Sequence, residues 1–447
     1  MLRTEALGGI AGGDPTMGQA RARINALPVV KEVGDVRVVV QEQLGIRGVA
    51  FLVAAGVGSA VEPAELSGIS HLIEHTAFKG TETRSALQIK LPIERVGGHL
   101  NALTSRVATV YYFHVPREVF DEAADILLDL YSHPLFERTA VELEKSVVLE
   151  EIRESQDEPT DVVFDQLTKM VWSNDFGKPV LGSEETVSLL DREDLVGFHR
   201  LHYVSGKTLM VAFGNISFEE VERHVEKFLK ELPKGSRSAL PSPPDVVTSG
   251  AGNLVLSHKR DLNQVHVVFF KAMPGRRSKD RAKMDILNTA LGSGMSSLLF
   301  ERVREKCGLA YTIGSDLILY RNGGGIFVYA STSEEKFWQL SDELRSLFER
   351  LINEGLGKSL FDYGKNRLIG GLELSSERAL SNAFRLLDDS LNLDRPRSLD
   401  EVLQEIEQVE LEELNSFLRR RFVGQWYLSV VAPEGFDPTR AAGQWKI

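Results

Sequence analysis

The sequence predicts an α+β fold: two homologous domains, each a mostly antiparallel sheet covered by helices on one face. Three observations carry that reading. Valine-rich runs are followed by grouped helical patterns rather than by regular strand-helix alternation, which argues against a parallel sheet. A proline-, glycine- and serine-rich stretch over 233–252 cannot fill a core and divides the chain as a linker. The strand and helix patterns ahead of that linker return behind it.

Length and composition agree. At 447 residues the chain exceeds one ordinary core, so two or more domains are expected. Hydrophobic residues at 43% and charged residues at 26%, with no apolar run long enough to span a bilayer, describe a soluble protein that does not partner a membrane. Acidic side chains outnumber basic ones, 64 to 52, and the net charge of -12 argues against a nucleic-acid partner, whose phosphates need a basic face. The single cysteine, Cys307, leaves no internal disulfide framework. Residues 1–24 lack the continuous apolar stretch of a signal peptide and read as a flexible leader, with Met17 as an alternative start, so a cytoplasmic location is expected.

The elements follow in order. Segments 29–43 and 47–57 alternate or run apolar and predict paired strands. Between the loop-like Val61-Glu62-Pro63-Ala64-Glu65 and Lys79-Gly80 lies a short helix. A helix over 86–96 is stopped by Gly97-Gly98, and after His99 to Ser105 comes a strand over 108–115 rich in Val110, Tyr111, Tyr112 and Phe113. Helices are expected over 117–130, just after Pro116, over 140–152, ended by Glu158-Pro159, and over 162–172. A turn-rich segment 174–182, a helix 191–203, a strand 208–214 and a helix 218–232 complete a first domain, 25–232. In the second domain, 253–447, Val265-His266-Val267-Val268-Phe269-Phe270 repeats the strand of 48–53, and 280–291 repeats the short helix. A shift of about 216 residues sets Leu287, Ala290 and Leu291 opposite His71, Glu74 and His75, so only the first copy retains metal-binding side chains.

The short helix carries the chemistry. Residues three and four apart share a helical face, which groups His71, Glu74 and His75. Two neutral imidazoles one turn apart can hold one zinc ion, and a carboxylate beside them can take a proton from water. The order H-x-x-E-H is the reversed zinc-peptidase motif. A third ligand is required, and Glu144 and Glu151, about two turns apart on the 140–152 helix, are the candidates. Either reaches the ion while the other supports a histidine ring or screens the site.

With these residues the chain resembles the pitrilysin and mitochondrial-processing-peptidase family of zinc peptidases, from about Ile24 to about Ala432. The likeness also rests on Gly97-Gly98-His99-Leu100-Asn101-Ala102-Leu103-Thr104, on Gly182, and on Gly292-Ser293-Gly294-Met295-Ser296-Ser297. It implies the same α+β fold, zinc on His71, His75 and Glu151, Glu74 as general base and Glu144 as the supporting carboxylate. It further implies that Arg304 and Tyr311, within 300–311, match an arginine and a tyrosine that face the zinc across a closed chamber and hold the substrate backbone. The strand around Asn101 and Ala102 is the expected edge to which an extended peptide adds, with Asn101 orienting it. A two-domain chain carrying both sets of residues is expected to form a homodimer, each second domain completing the other chain's site. The likeness departs at Val107-Ala108, near which relatives commonly carry an acidic residue. The expected activity is zinc-dependent endopeptidase or oligopeptidase cleavage of extended peptides in a dimeric clamshell chamber. The alternative is an inactive scaffold homologue within a larger complex.

Overall fold

The computed structural model describes residues 27–172, 175–235 and 252–447. The expected leader 1–24 with Met17, most of the linker 233–252, and Asn174 lie outside the described residues.

In the first half the chain runs β1 (Val29–Val33), β2 (Val36–Glu42), β3 (Gly48–Ala55), α1 (Ile69–Ala77), α2 (Ala86–Glu94), β4 (His99–Thr104) and β5 (Thr109–Pro116). It continues through α3 (Phe120–Ser132), α4 (Arg138–Asp157), α5 (Pro159–Val171), α6 (Glu184–Leu189), α7 (Arg192–His202), β6 (Thr208–Gly214) and α8 (Phe218–Phe228). The second half has β7 (Leu254–Lys259), β8 (Val265–Pro274), α9 (Arg281–Gly292), β9 (Thr312–Leu319), β10 (Gly323–Thr332) and α10 (Glu334–Glu354). It closes with α11 (Lys358–Ser375), α12 (Ala379–Asn392), α13 (Leu399–Glu407), α14 (Leu411–Phe422), β11 (Tyr427–Pro433) and α15 (Thr439–Gln444). Among the described residues no helix is long and apolar enough to cross a membrane.

The first sheet has the order β1-β2-β6-β3-β5-β4 and the second β7-β11-β8-β10-β9. Each contains one parallel pair, β2 with β6 and β7 with β11, and is otherwise antiparallel. Strand for strand, the second sheet repeats the first without β1. One expectation is corrected here: segments 29–43 and 47–57 do not pair with each other, because β6 lies between β2 and β3. Every residue of β6 is buried, and such a strand is at home in the middle of a sheet rather than at its rim.

Helices of its own half cover one face of the first sheet, where Phe51 and Phe113 pack with Phe120 and Leu127 of α3. The opposite face belongs to the other half. Leu52, Val110 and Val211 pack there against Ala383, Leu386 and Leu387 of α12. Reciprocally, Val163, Leu167 and Val171 of α5 pack against Val268, Phe270 and Val431 of the second sheet. Gln166 Nε2 and Ser429 Oγ seal that contact, donating to Val430 O at 2.8 Å and Val163 O at 2.6 Å. Each half therefore lends one helix to its twin. Burying a large aliphatic side chain contributes roughly 1.5–3 kcal/mol, so the five exchanged valines and leucines contribute on the order of 10 kcal/mol before entropy is charged, as much as the net stability of a typical domain.

The placement of α1 has its own devices. No side chain at Gly68 caps the helix, which begins there with φ at 96°. Glu62, buried six residues earlier, does so instead: its carboxylate accepts from Gly68 N at 2.8 Å and Ser70 N at 2.9 Å. A negative charge on the bare amides of a helix start is the favourable polarity. Gly182 (φ 79°) crosses the same point so closely that a Cβ would lie 2.5 Å from Ser67 O and 2.7 Å from the Gly68 Cα. Gly182→Ala is therefore expected to lower stability by about 2–4 kcal/mol through strain and overpacking. Gly97→Ala, at φ 74° with nothing within 4 Å of the new Cβ, should cost only about 1 kcal/mol. Denaturant midpoints of the two variants compared with the parent chain check this pair.

Candidate metal centre

Helix α1 presents His71, Glu74 and His75 toward α4, which presents Glu144 and Glu151. The pattern behind α1 is simple: Ile69, Leu72, Ile73 and Ala77 fill the core, and that stripe fixes the polar residues on the remaining face. The imidazoles lie edge to face with centroids 4.5 Å apart. Glu151 Oε2 stands 3.7 Å from His71 Nε2 and 3.6 Å from His75 Nε2. One ligand atom from each of the three side chains falls within 4.8 Å of the others.

Supporting groups hold this arrangement. Glu144, buried, accepts from His75 Nδ1 at 3.2 Å, which leaves His75 Nε2 turned toward Glu151. Lys79 Nζ ion-pairs with the other oxygen of Glu144 at 2.5 Å. The far nitrogen of His71, Nδ1, is buried without a hydrogen-bond partner among the described residues. Burial, and secondarily the neighbouring His75, pull the His71 pKa down to about 4, so this ring is neutral with a lone pair to give. Glu74 is raised above the ordinary carboxylate range, chiefly by burial, with Glu151 adding to it and the Thr104 hydrogen bond and His75 opposing it. Thr104 Oγ1 donates to Glu74 Oε2 at 2.6 Å and so aims that carboxylate.

Two neutral or neutralisable nitrogens and one carboxylate oxygen, converging on one point, are the donor set of a hydrolytic zinc site, in which three protein ligands leave a position open. The residues fit the ion.

The sequence located His71, Glu74, His75, Glu144 and Glu151, and the structure brings all five together. It missed Thr104, Lys79 and Glu62. Two of these had a signal: Lys79 stands one turn beyond His75, and Thr104 is two residues from Ala102 on β4, hence on the same face of the strand. Glu62, inside a loop-like stretch, had none. Asn101 and Ala102 lie on β4, the edge strand, where Asn101 Oδ1 accepts from Ala102 N at 2.9 Å. Arg304 and Tyr311 come together elsewhere: the guanidinium carbon is 5.6 Å from the phenol ring centroid, and Tyr311 is 72% exposed. Among the described residues no hydrogen bond or ion pair joins either of them to the His71 group.

The second half shows what stands at the equivalent positions of the repeat. Lys145 of α4 donates to Leu190 O at the end of α6, and Lys365 of α11 donates to Glu407 O and Val409 O at the end of α13. These equivalent lysines are 220 residues apart (365 − 145), and the same shift sets Gly364 and Gly371 opposite Glu144 and Glu151. A Cβ on Gly364 would lie 2.8 Å from Ile286 O and 2.9 Å from Ala290 Cβ, so α11 and α9 close where α4 and α1 leave room for an ion.

Residues 37–184 match the family model described as Insulinase (Peptidase family M16), and 190–368 match that of the Peptidase M16 inactive domain. The chain is 35% identical over 404 residues to an uncharacterized zinc protease of Mycobacterium tuberculosis, covering 90% of this chain and 92% of that one. An uncharacterized zinc protease of Bacillus subtilis is 33% identical over 406 residues, covering 90% and 98%. Among solved structures, a protease from Helicobacter pylori superposes with a TM-score of 0.82 at 21% identity over 92% of this chain and 99% of that one. A putative M16-like peptidase from Alicyclobacillus acidocaldarius does so at 0.78 and 18%, over 91% and 98%, and both likenesses bear on the fold alone. Two matched family models spanning most of the sequence, and relatives identical at a third of positions along nearly their whole length, show that the chain belongs to the M16 family of peptidases.

Proposed function

We propose that this chain is a zinc-dependent peptidase that cuts extended peptides and works as a homodimer. The carrying observation is the convergence of His71 Nε2, His75 Nε2 and Glu151 Oε2 beside a buried, aimed Glu74. The naming of its relatives as zinc proteases supports the choice of metal. An inactive scaffold would have no use for all four side chains in this relation.

Zinc held by His71, His75 and Glu151 would supply a Lewis acid that polarises the scissile carbonyl and acidifies water. The remaining work falls to side chains. Glu74, whose raised pKa suits a base that must both accept and return a proton, takes the proton of the attacking water on a carboxylate oxygen and delivers it to the leaving amine nitrogen. Thr104 keeps Glu74 in one rotamer for that transfer. The substrate backbone adds along the free edge of β4 by main-chain hydrogen bonds, and a strand that uses the Ala102 amide displaces Asn101 Oδ1 from it. Because Arg304 and Tyr311 are exposed and apart from the His71 group, we place them opposite a partner's site, where both are donors for the oxyanion or the substrate carbonyls.

Glu74→Gln should retain stoichiometric zinc by metal analysis while peptide cleavage falls by at least about 100-fold. Glu151→Gln should lose both, and chelation of the parent chain should abolish cleavage until zinc is restored. Glu144→Ala removes the partner of His75 and should weaken zinc affinity by about 10–100-fold, measured by competition with a chelating dye. Mixing inactive Glu74→Gln chains with inactive Arg304→Ala chains should restore about a quarter of the parental activity, because a heterodimer then contains one chamber with both functions intact. A sedimentation measurement showing only monomers would overturn the shared chamber.

A further inference from the structure

Beside Thr104, on the face of the first sheet away from the candidate metal centre, a cavity of about 450 Å³ opens between the β4–β5 turn, the end of β9 and α12. It lies within the size range of specific ligand pockets. Successive residues of a strand face opposite ways, so Thr104 turns its hydroxyl to Glu74 while Leu103, its neighbour on β4, lines this cavity. Val107, Tyr320, Phe384, Leu387 and Leu391 supply most of the remaining wall. The charged groups there are already engaged. Arg106 donates from Nε to Phe176 O at 2.9 Å and from Nη2 to Thr168 Oγ1 at 3.1 Å, and Asp388 is ion-paired with Arg276. An arriving cation would find Asp388 already paired, and an arriving anion would find two of the Arg106 nitrogens already bonded to a carbonyl and a hydroxyl.

We infer that this cavity is a specificity pocket that receives one large uncharged apolar side chain, aromatic or aliphatic, of a peptide lying along the β4 edge. The inference rests on the proposed peptidase reading. Its occupant follows from continuity: Leu103 belongs both to the edge that holds the peptide backbone and to the cavity wall. In an added strand, the residue beside Leu103 points with it to the face away from the metal, while its neighbours point toward Glu74. The selected residue therefore sits within about two positions of the bond that is cut. The net charge of -12 would by itself favour basic peptides, but this pocket selects against a basic side chain at that one position.

The test uses the full zinc-loaded Glu74→Gln chain, which binds without cutting, and a set of fluorescent twelve-residue peptides in which a single Phe or Lys is moved along a serine-alanine background. Anisotropy titration should find one position at which Phe binds at least about tenfold tighter than Lys. Adding Val107→Glu should erase or invert that ratio, and Leu391→Trp, which fills a half-buried wall position, should remove the preference for Phe with affinity at other positions unchanged. No positional preference, or a preference that survives both variants, overturns the inference, as does failure of every peptide to bind. If the peptides bind with the expected preference but the parent chain cuts none of them, the pocket stands and the peptidase reading falls.

Discussion

The carboxylate of Glu62, buried against the first amides of α1, is the contact on which the site geometry rests. Burial raises the pKa of that carboxyl, and the two backbone donors and Lys178 offset the cost only in part. Such a group persists because it fixes the start of α1 to the loop before it, and a nine-residue helix has too few turns to hold a direction by itself. Once that end is set, and Gly182 closes over it, the rotation of α1 is decided by its apolar stripe. Both imidazoles then point at α4.

The two halves give an internal control for what a candidate metal site costs a fold. Their sheets share one order and their helices one sequence of packing, down to a lysine that ends the corresponding helix in each. Where the first half buries histidines against glutamates, the second has Ala290 against Gly364 in direct contact. Closed packing is the cheaper solution, since it buries no ionisable group. The first half departs from it at the one place where ligands converge.

Much of this was legible in the residues themselves. The H-x-x-E-H motif is local, with its three side chains within five positions, and helical geometry alone puts them on one face. The α+β class followed from patterning, as did the breaker at Glu158-Pro159, where α4 ends at Asp157 and α5 begins at Pro159. Contacts that join distant segments without a periodic signature stayed hidden. Nothing in the alternation of β3 reveals that β6 lies beside it, and nothing in α12 names the sheet it covers. Glu62 was hidden for the same reason, since a glutamate in a loop looks like any other until the helix it holds is in place.

The reciprocal loan of α5 and α12 has a consequence for origins. A lone ancestral half, built on this plan, would have left one side of its sheet bare to water and a hydrophobic helix with nowhere to dock. Two identical copies trading that helix would satisfy both needs at once, which is the arrangement the two halves of this single chain reproduce.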